Sequence, residues 1–304
     1  MNNATWQRIS ACLVAACIAE FAFVDAAVAQ SVRIPTLQKI RQYGAIYVGH
    51  REASVPFSYY VGETPVGYSK DICDKVVADI KLYLHDPSLK VVLVPVSNSS
   101  RLMMLMTGMI DLECGSTTNT KIRQQAVAFS VTPFISGVRA LVRKDSKIDK
   151  IADLNGKQIV TTAGTTSERL VKNALATRKL SAGAKYGRTH LDSFGQVLRK
   201  EADAFVVDDA ILSGLIANSA EGDKFKLLEE NFGFEPYGIG LRKDDPEFKE
   251  VVDKSMREMM KSGEMETLYN KWFMSPIPPN NVNLQIPLSD ALKEAMRNPT
   301  DAGI

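Results

Sequence analysis

The 304-residue sequence predicts an α/β fold in two lobes, each a sheet flanked by helices, on three observations. Short β-rich runs alternate with helical patterns from Ile34 onward, which is the rhythm of a parallel sheet. The rhythm restarts at Gln158 with no Pro/Gly/Ser linker before it. Two segments also echo one another: Ala140-Leu141-Val142-Arg143-Lys144-Asp145 and Gly240-Leu241-Arg242-Lys243-Asp244 read as extended crossings between the lobes. A hydrophobic content of 45% supplies cores for two domains of roughly 100 to 150 residues. Charged residues are nearly balanced, 37 basic against 35 acidic, which sets the chain apart from disordered and coiled-coil sequences. The net charge of +2 gives no electrostatic reason to expect nucleic acid or an anionic membrane as partner.

The elements follow in order. Arg8, the small apolar run Ile9 to Ala19 and then Ala27-Val28-Ala29 form a secretory signal over residues 1–29, so the protein is expected in the periplasm. Val14-Ala15-Ala16-Cys17 offers lipidation at Cys17 as a less favoured alternative. Ala45 to Gly49 reads as a strand, Tyr68 to Leu84 as a helix and Lys90 to Val96 as a strand. Ser100 to Thr107 is then a helix and Ile110 to Cys114 a strand. The second unit brings strand Gln158 to Thr161, helix Ser167 to Lys179, strand Ala202 to Val207 and a long helical region, Pro246 to Phe273, interrupted near Gly263. The Pro- and Asn-rich stretch Pro276 to Pro287 belongs on the surface, with a short amphipathic helix from Ser289 to Arg297. If the two echoed segments are the crossings, one lobe comprises residues 30–142 and 238–304, and the other residues 143–237.

Ligands of open α/β sheets collect beyond the carboxyl ends of strands. Four strand candidates end in polar clusters: His50-Arg51-Glu52, Gly115-Ser116-Thr117-Thr118, Asp208-Asp209 and Gly164-Thr165-Thr166-Ser167-Glu168. Helix capping accounts for one of the two aspartates. Thr165 and Glu168 have capping-box spacing, and a plain helix cap and anion binding at exposed amides are both open there. Cys73 and Cys114 are equally open between a disulfide and two buried thiols. Trp272 and Phe273, with Met259, Met265 and Leu268, read as core, and Met103, Met104, Met106 and Met109 as packing. No G-x-S-x-G, H-E-x-x-H, Walker or dinucleotide motif occurs, and the scattered histidines form no metal set, so neither cofactor nor metal is expected.

Several of these segments together resemble a known family. They are Val48-Gly49-His50-Arg51-Glu52 with Val55-Pro56-Phe57-Ser58-Tyr59-Tyr60, Glu113-Cys114-Gly115-Ser116-Thr117-Thr118-Asn119, Gly164-Thr165-Thr166-Ser167-Glu168, His190 with Asp192-Ser193-Phe194, Asp208-Asp209-Ala210, and Lys271-Trp272-Phe273 with Pro276-Ile277-Pro278-Pro279. In this order they resemble the family 3 solute-binding proteins of polar amino-acid ABC transporters, in their glutamate/aspartate branch. The resemblance implies a two-lobed, hinged, type II periplasmic binding fold that closes on one amino acid and delivers it to membrane permease subunits. It further implies a monomer that is not an enzyme. Arg123 sits where relatives grip the ligand's α-carboxylate, helped by Thr118 and by Thr165 or Thr166. Asp208 and Ser116 match positions that take the α-ammonium. Arg51 stands where binders of basic amino acids carry an aspartate, and that inversion of sign implies an acidic ligand. Arg101 and His190 match positions for the distal carboxylate. Asn98 stands where the branch usually has a serine and keeps a hydrogen-bond donor there.

A dicarboxylate closed into a cleft loses water from each charge, and arginine answers a carboxylate with parallel donors and a permanent charge. Three arginines and one aspartate leave a positive surplus toward a ligand of net charge −1, which would exclude neutral amino acids. An enzyme on the same fold, similar to cyclohexadienyl dehydratase, is the alternative from another class. It would require an acid-base group over a reacting bond.

Overall fold

Ile72, Val76, Val77, Ile80 and Leu84 recur at helical spacing, so Tyr68–Leu84 forms a helix with one buried face. The structure, a computed structural model, describes residues 34–304. The expected signal segment, its cleavage after Ala29 and the alternative at Cys17 lie outside the described residues. The first elements are α1 (Thr36–Tyr43), β1 (Ala45–His50), β2 (Ala53–Ser54), β3 (Ser58–Val61), β4 (Thr64–Val66), α2 (Tyr68–Leu84) and β5 (Lys90–Pro95). Next come α3 (Arg101–Met106), β6 (Leu112–Cys114), α4 (Lys121–Gln124), β7 (Val127–Phe129), β8 (Ile135–Arg143), β9 (Gln158–Thr162), α5 (Ser167–Thr177), β10 (Gly183–Gly187) and α6 (His190–Leu198). The chain continues with β11 (Ala204–Asp208), α7 (Asp209–Ala217), β12 (Phe225–Leu227), β13 (Gly233–Pro236), β14 (Gly240–Arg242), α8 (Pro246–Ser262) and α9 (Glu264–Phe273). It ends with β15 (Pro276–Ile277), β16 (Val282–Asn283) and α10 (Asp290–Arg297).

Among the described residues, one large sheet runs β5-β1-β6-β14-β7 and a second β10-β9-β11-β8-β12, with β13 also on β8. In the first, β1 is parallel to β5 and β6. In the second, β9 is parallel to β10 and β11, and β8 runs antiparallel to β11, β12 and β13. Gly263, in the left-handed region at φ 82, ends α8 and begins α9, which is the interruption expected there. Ser289 caps α10 through its side chain.

The chain leaves the first sheet at Phe129 and is laddered into the second from Ile135, so it changes sheet across residues 130–134. It returns between Pro236 and Gly240, close to the expected residue 238. The outward change comes earlier than the expected residue 142. Ile135–Arg143 is a central strand, with Val138, Ala140 and Val142 in one core and Leu141 in another. A strand covered on both faces reads as a continuous apolar run, which is why it resembled an extended connector in sequence. The two echoed segments are therefore strands of different sheets. Phe134 and Tyr237, one on each crossing, pack against each other and against Phe57 in an aromatic cluster that includes Tyr68 and Phe273.

Cys73 on α2 is joined to Cys114 at the end of β6 by a disulfide, with Cα atoms 6.2 Å apart. Trp272 and Phe273 are buried, whereas Met103 and Met109 are exposed and do not pack as expected. Their positions fall on the outer side of α3 and in the turn after it, and Met104 and Met106 supply the inward contacts.

Candidate functional site

Three parallel strands in each sheet end toward polar segments: β1, β5 and β6 lead into Arg51, Ser97–Arg101 and Gly115–Thr118. In the second sheet β9, β10 and β11 lead into Thr165–Thr166, His190 and Asp208–Asp209. Two side-chain contacts join the two sets. Arg123 Nη2 donates to Gly164 O at 3.2 Å, and the Thr118 and Thr166 hydroxyls lie 3.4 Å apart. The segments beyond the two sets of strand ends thus touch one another.

On the first-sheet side, Arg51 is 6% exposed. Its amide donates to Ser58 Oγ at 2.9 Å and its Nε to Val96 O at 3.1 Å, leaving Nη1 buried without a partner. Arg101 opens α3, is 2% exposed, donates from Nη1 to Ser116 O at 3.4 Å and has an unpartnered Nε. Asn98, after β5, is buried with an unpartnered Nδ2, and Ser116, after β6, is buried as well. Burial first, then the charge of Arg101, pushes Arg51 down to about 9 and Arg123 to about 10. Arg123 belongs to α4, which Thr120 caps by accepting the Arg123 amide at 3.1 Å. Its Nη1 donates to Thr118 O at 2.8 Å. The chain end steadies this turn: the Lys121 amide donates to Ile304 O and Asn119 Nδ2 to Asp301 O.

On the second-sheet side, of the two readings left open for Thr165 and Glu168, the capping box does not form. Thr165 Oγ1 donates to Thr162 O at 2.7 Å, Glu168 takes Lys172 and Tyr186, and Thr166 stands at the N-cap without a side-chain cap. The first amides of α5 are left without that cap, and of the two threonines only Thr166 keeps its hydroxyl proton uncommitted to a carbonyl. Asp208 likewise takes the N-cap position of α7 without capping it, and Asp209 accepts from Ser136 Oγ at 2.9 Å. Neither carboxylate therefore serves as the cap expected for one of them. His190 is buried, and burial, followed by Arg51 and Arg101, holds it well below its usual range, so it is a neutral imidazole. Its Nδ1 lies 3.0 Å from Thr162 Oγ1, which lies 2.8 Å from Ser193 Oγ. Ser193 Oγ donates its one proton to Thr189 O at 3.1 Å, so Thr162 Oγ1 donates to Ser193 and accepts from Nδ1–H, which leaves Nε2 as an acceptor.

Two carboxylates escaped the sequence reading. Glu113 on β6 and Glu235 on β13 are both 0% exposed. Neither oxygen of Glu113 has a partner, and its charge reaches Arg51 and Arg123. Glu235 Oε2 accepts from Thr118 Oγ1 at 2.7 Å while Oε1 is unpartnered. Asp208 Oδ1 is unpartnered too, and burial, then Glu235, raises its carboxyl well above the usual range. A charged residue between Leu112 and Cys114, in an apolar strand, was the available signal for Glu113. Glu235 gave none, because its neighbour Phe234 is the exposed one. Three arginines thus meet three carboxyl groups, and the positive surplus expected from Asp208 alone is reduced. Thr118 has also given its single proton to Glu235, so its hydroxyl has none left for a ligand's α-carboxylate, the role expected of it.

The ten sequence-selected residues lie at these strand ends or in the segments that follow them, Arg123 on α4 beyond β6. Arg51, Asn98 and His190 line one hollow of about 230 Å³. A larger hollow of about 480 Å³ between α2 and α8 lies away from the polar cluster. The unpartnered buried atoms locate the site better than volume does. Each costs free energy unless a bound group satisfies it, and donors and acceptors of both signs are present. Among the described residues no helix is long and apolar enough to cross a membrane.

Comparison with known proteins gives the same direction. Residues 46–275 match the model of the bacterial extracellular solute-binding proteins, family 3. The chain is 41% identical over 270 residues to the glutamate/aspartate import solute-binding protein of Escherichia coli, covering 88% of this chain and 89% of that one. It is 44% identical over 268 residues to the L-glutamate/L-aspartate-binding protein of Pseudomonas aeruginosa, with the same coverage of each chain. Both are named as binding proteins and not as enzymes. Among solved structures, an ancestral amino acid-binding protein described as a precursor of cyclohexadienyl dehydratase is similar at a TM-score of 0.67 and 28% identity, over 78% of this chain and 99% of that one.

Proposed function

The chain belongs to the bacterial extracellular solute-binding proteins, family 3, and from that premise we propose that it binds L-glutamate or L-aspartate between its lobes, as the solute-binding component of an ABC importer. It acts outside the cytoplasm as a monomer and hands the amino acid to membrane permease subunits. One lobe is built on the first sheet and the other on the second, with the two crossings as the hinge.

The carrying observation is a pair of poles: Arg51 and Arg101 keep unpartnered N–H groups, while Asp208 and Glu235 keep unpartnered oxygens. Arg123 stands within electrostatic reach of both poles. A zwitterion with a second carboxylate fits that pattern. Its ammonium lies among Asp208, Glu235 and Ser116. Its α-carboxylate meets Arg123, Thr166 and the first amides of α5. Its distal carboxylate meets Arg51 and Arg101, with Asn98 Nδ2 as a hydrogen-bond donor and the neutral His190 ring packed alongside. Opposite charges about 4 Å apart attract by roughly 4 kcal/mol at an effective dielectric of 20, before desolvation is subtracted. Because both lobes supply ligands, all are satisfied together only with the lobes closed, so the amino acid shifts the equilibrium toward closure.

The discriminating experiment is an unfolding-temperature screen of the twenty amino acids. A ligand at 100 times its Kd adds about 2.7 kcal/mol, a rise of about 5 °C for a chain this size. Glutamate and aspartate should produce it. A larger rise with glutamine or arginine would overturn the assignment.

A further inference from the structure

We infer that closure is arrested at points where the backbone of one lobe meets the other with no side chain between them, and that Gly214 at one such point sets ligand affinity without touching the ligand. The inference rests on the hinged closure proposed above. Gly214 lies within α7, which packs on β8, β11 and β12 of the second sheet. A β-carbon added there would stand 2.7 Å from Val55 O and 2.9 Å from Val55 Cβ and Cγ1. Val55 lies between β2 and β3, and β3 and β4 pack on α2 of the other lobe. Its segment has little freedom to retreat, since the Phe57 amide donates to Ser54 O at 2.7 Å and the Tyr68 amide to Pro56 O at 2.9 Å.

A second stop repeats the arrangement. Gly164, at φ +77, would bring a β-carbon to 2.9 Å from Asn98 C and O and 3.0 Å from Ser99 N. Beside Gly214 the seam opens into a hollow of about 360 Å³ lined by Tyr60, Leu191, Phe194 and Leu215 among others. The lobes therefore do not meet there as a continuous wall, and a single backbone contact bears on their approach. Glycine in a helix interior is locally unfavourable. Nothing within α7 requires it at position 214, whereas the contact with Val55 does.

The test compares Gly214→Ala and Gly214→Val with Gly195→Ala, a glycine inside α6 whose added methyl meets only the mobile end of Arg199. Three quantities are read: unfolding temperature without ligand, Kd for glutamate by calorimetry, and compaction on adding glutamate by X-ray scattering. Gly214→Ala should unfold at an equal or higher temperature than the wild type, because alanine is the better helix former. It should nonetheless bind glutamate about tenfold more weakly, the scale of one overpacked methyl at a rigid contact, and compact less. Gly214→Val should bind more weakly still, and Gly195→Ala should keep its affinity. Wild-type affinity and full compaction in Gly214→Ala would overturn the inference. A lowered ligand-free unfolding temperature in that variant would overturn it too, by assigning the glycine to packing within its own lobe. A wild-type protein that neither binds nor compacts with glutamate counts against the proposed function instead, and the stop is then judged with the amino acid the screen identifies.

Discussion

Replacing Arg51 by methionine removes one buried guanidinium while keeping an apolar stem of similar length beside Gly115, where Arg51 Cγ and Cδ lie. In the ligand-free protein this arginine is pushed down from its ordinary value to about 9, by burial first and then by Arg101. Because the folded value lies below the unfolded one, holding the charge costs stability at every pH below about 9. The cost fades as pH rises from there toward the unfolded value. At about 1.4 kcal/mol per pH unit it amounts to a few kcal/mol at neutral pH. Arg51→Met should therefore be more stable than the wild type without ligand, but by less than that cost, because the buried Glu113 carboxylate loses a neighbouring cation. With glutamate the sign reverses. The distal carboxylate is then buried against one cation fewer, a loss of about 3 to 5 kcal/mol, or roughly a hundredfold to several thousandfold in Kd. Denaturant unfolding without ligand and calorimetric titration with glutamate read the two halves separately. A folded variant that binds within about fivefold of the wild type would refute the placement of Arg51 against the ligand. A variant destabilised without ligand would refute the account of its charge.

The Asp208 carboxyl is raised by burial and by Glu235, and Asp209, Tyr237 and Arg123 face it as well. A raised folded value means the ligand-free protein retains this proton above the ordinary carboxylate range and loses stability as pH rises through that window. An ammonium beside Asp208 favours the ionised form, so glutamate binding should expel protons and tighten as pH rises across the same window. Binding heats that are identical in two buffers of unlike ionisation enthalpy would refute this, and Asp208→Asn should remove the buffer dependence with most of the affinity. Cys73 and Cys114 are separated by 41 residues, so the paired change to serine should cost about 4 kcal/mol of unfolding free energy. A loss under about 1 kcal/mol in denaturant unfolding would deny the cross-link a stabilising role.

Local order was legible in the amino-acid sequence because it depends on contacts a few residues apart. The helix Tyr68–Leu84, the break at Gly263 and the strands ending at Arg51, Ser116 and Asp208 all follow from periodicity and turn chemistry. The residue types of the site followed as well, since a basic group after an apolar strand is visible in one line of text.

What the tertiary structure alone decided concerns groups brought together from far along the chain. Glu113 and Glu235 come to the arginines from different sheets, and their charges reduce a surplus that Asp208 alone would have left. Thr118 spends its proton on Glu235, 117 residues away, and so changes role. Cys73 finds Cys114 only because α2 crosses β6. Charge balance and hydrogen-bond accounting are sums over every neighbour in space, and position in a sequence specifies only the neighbours along the chain.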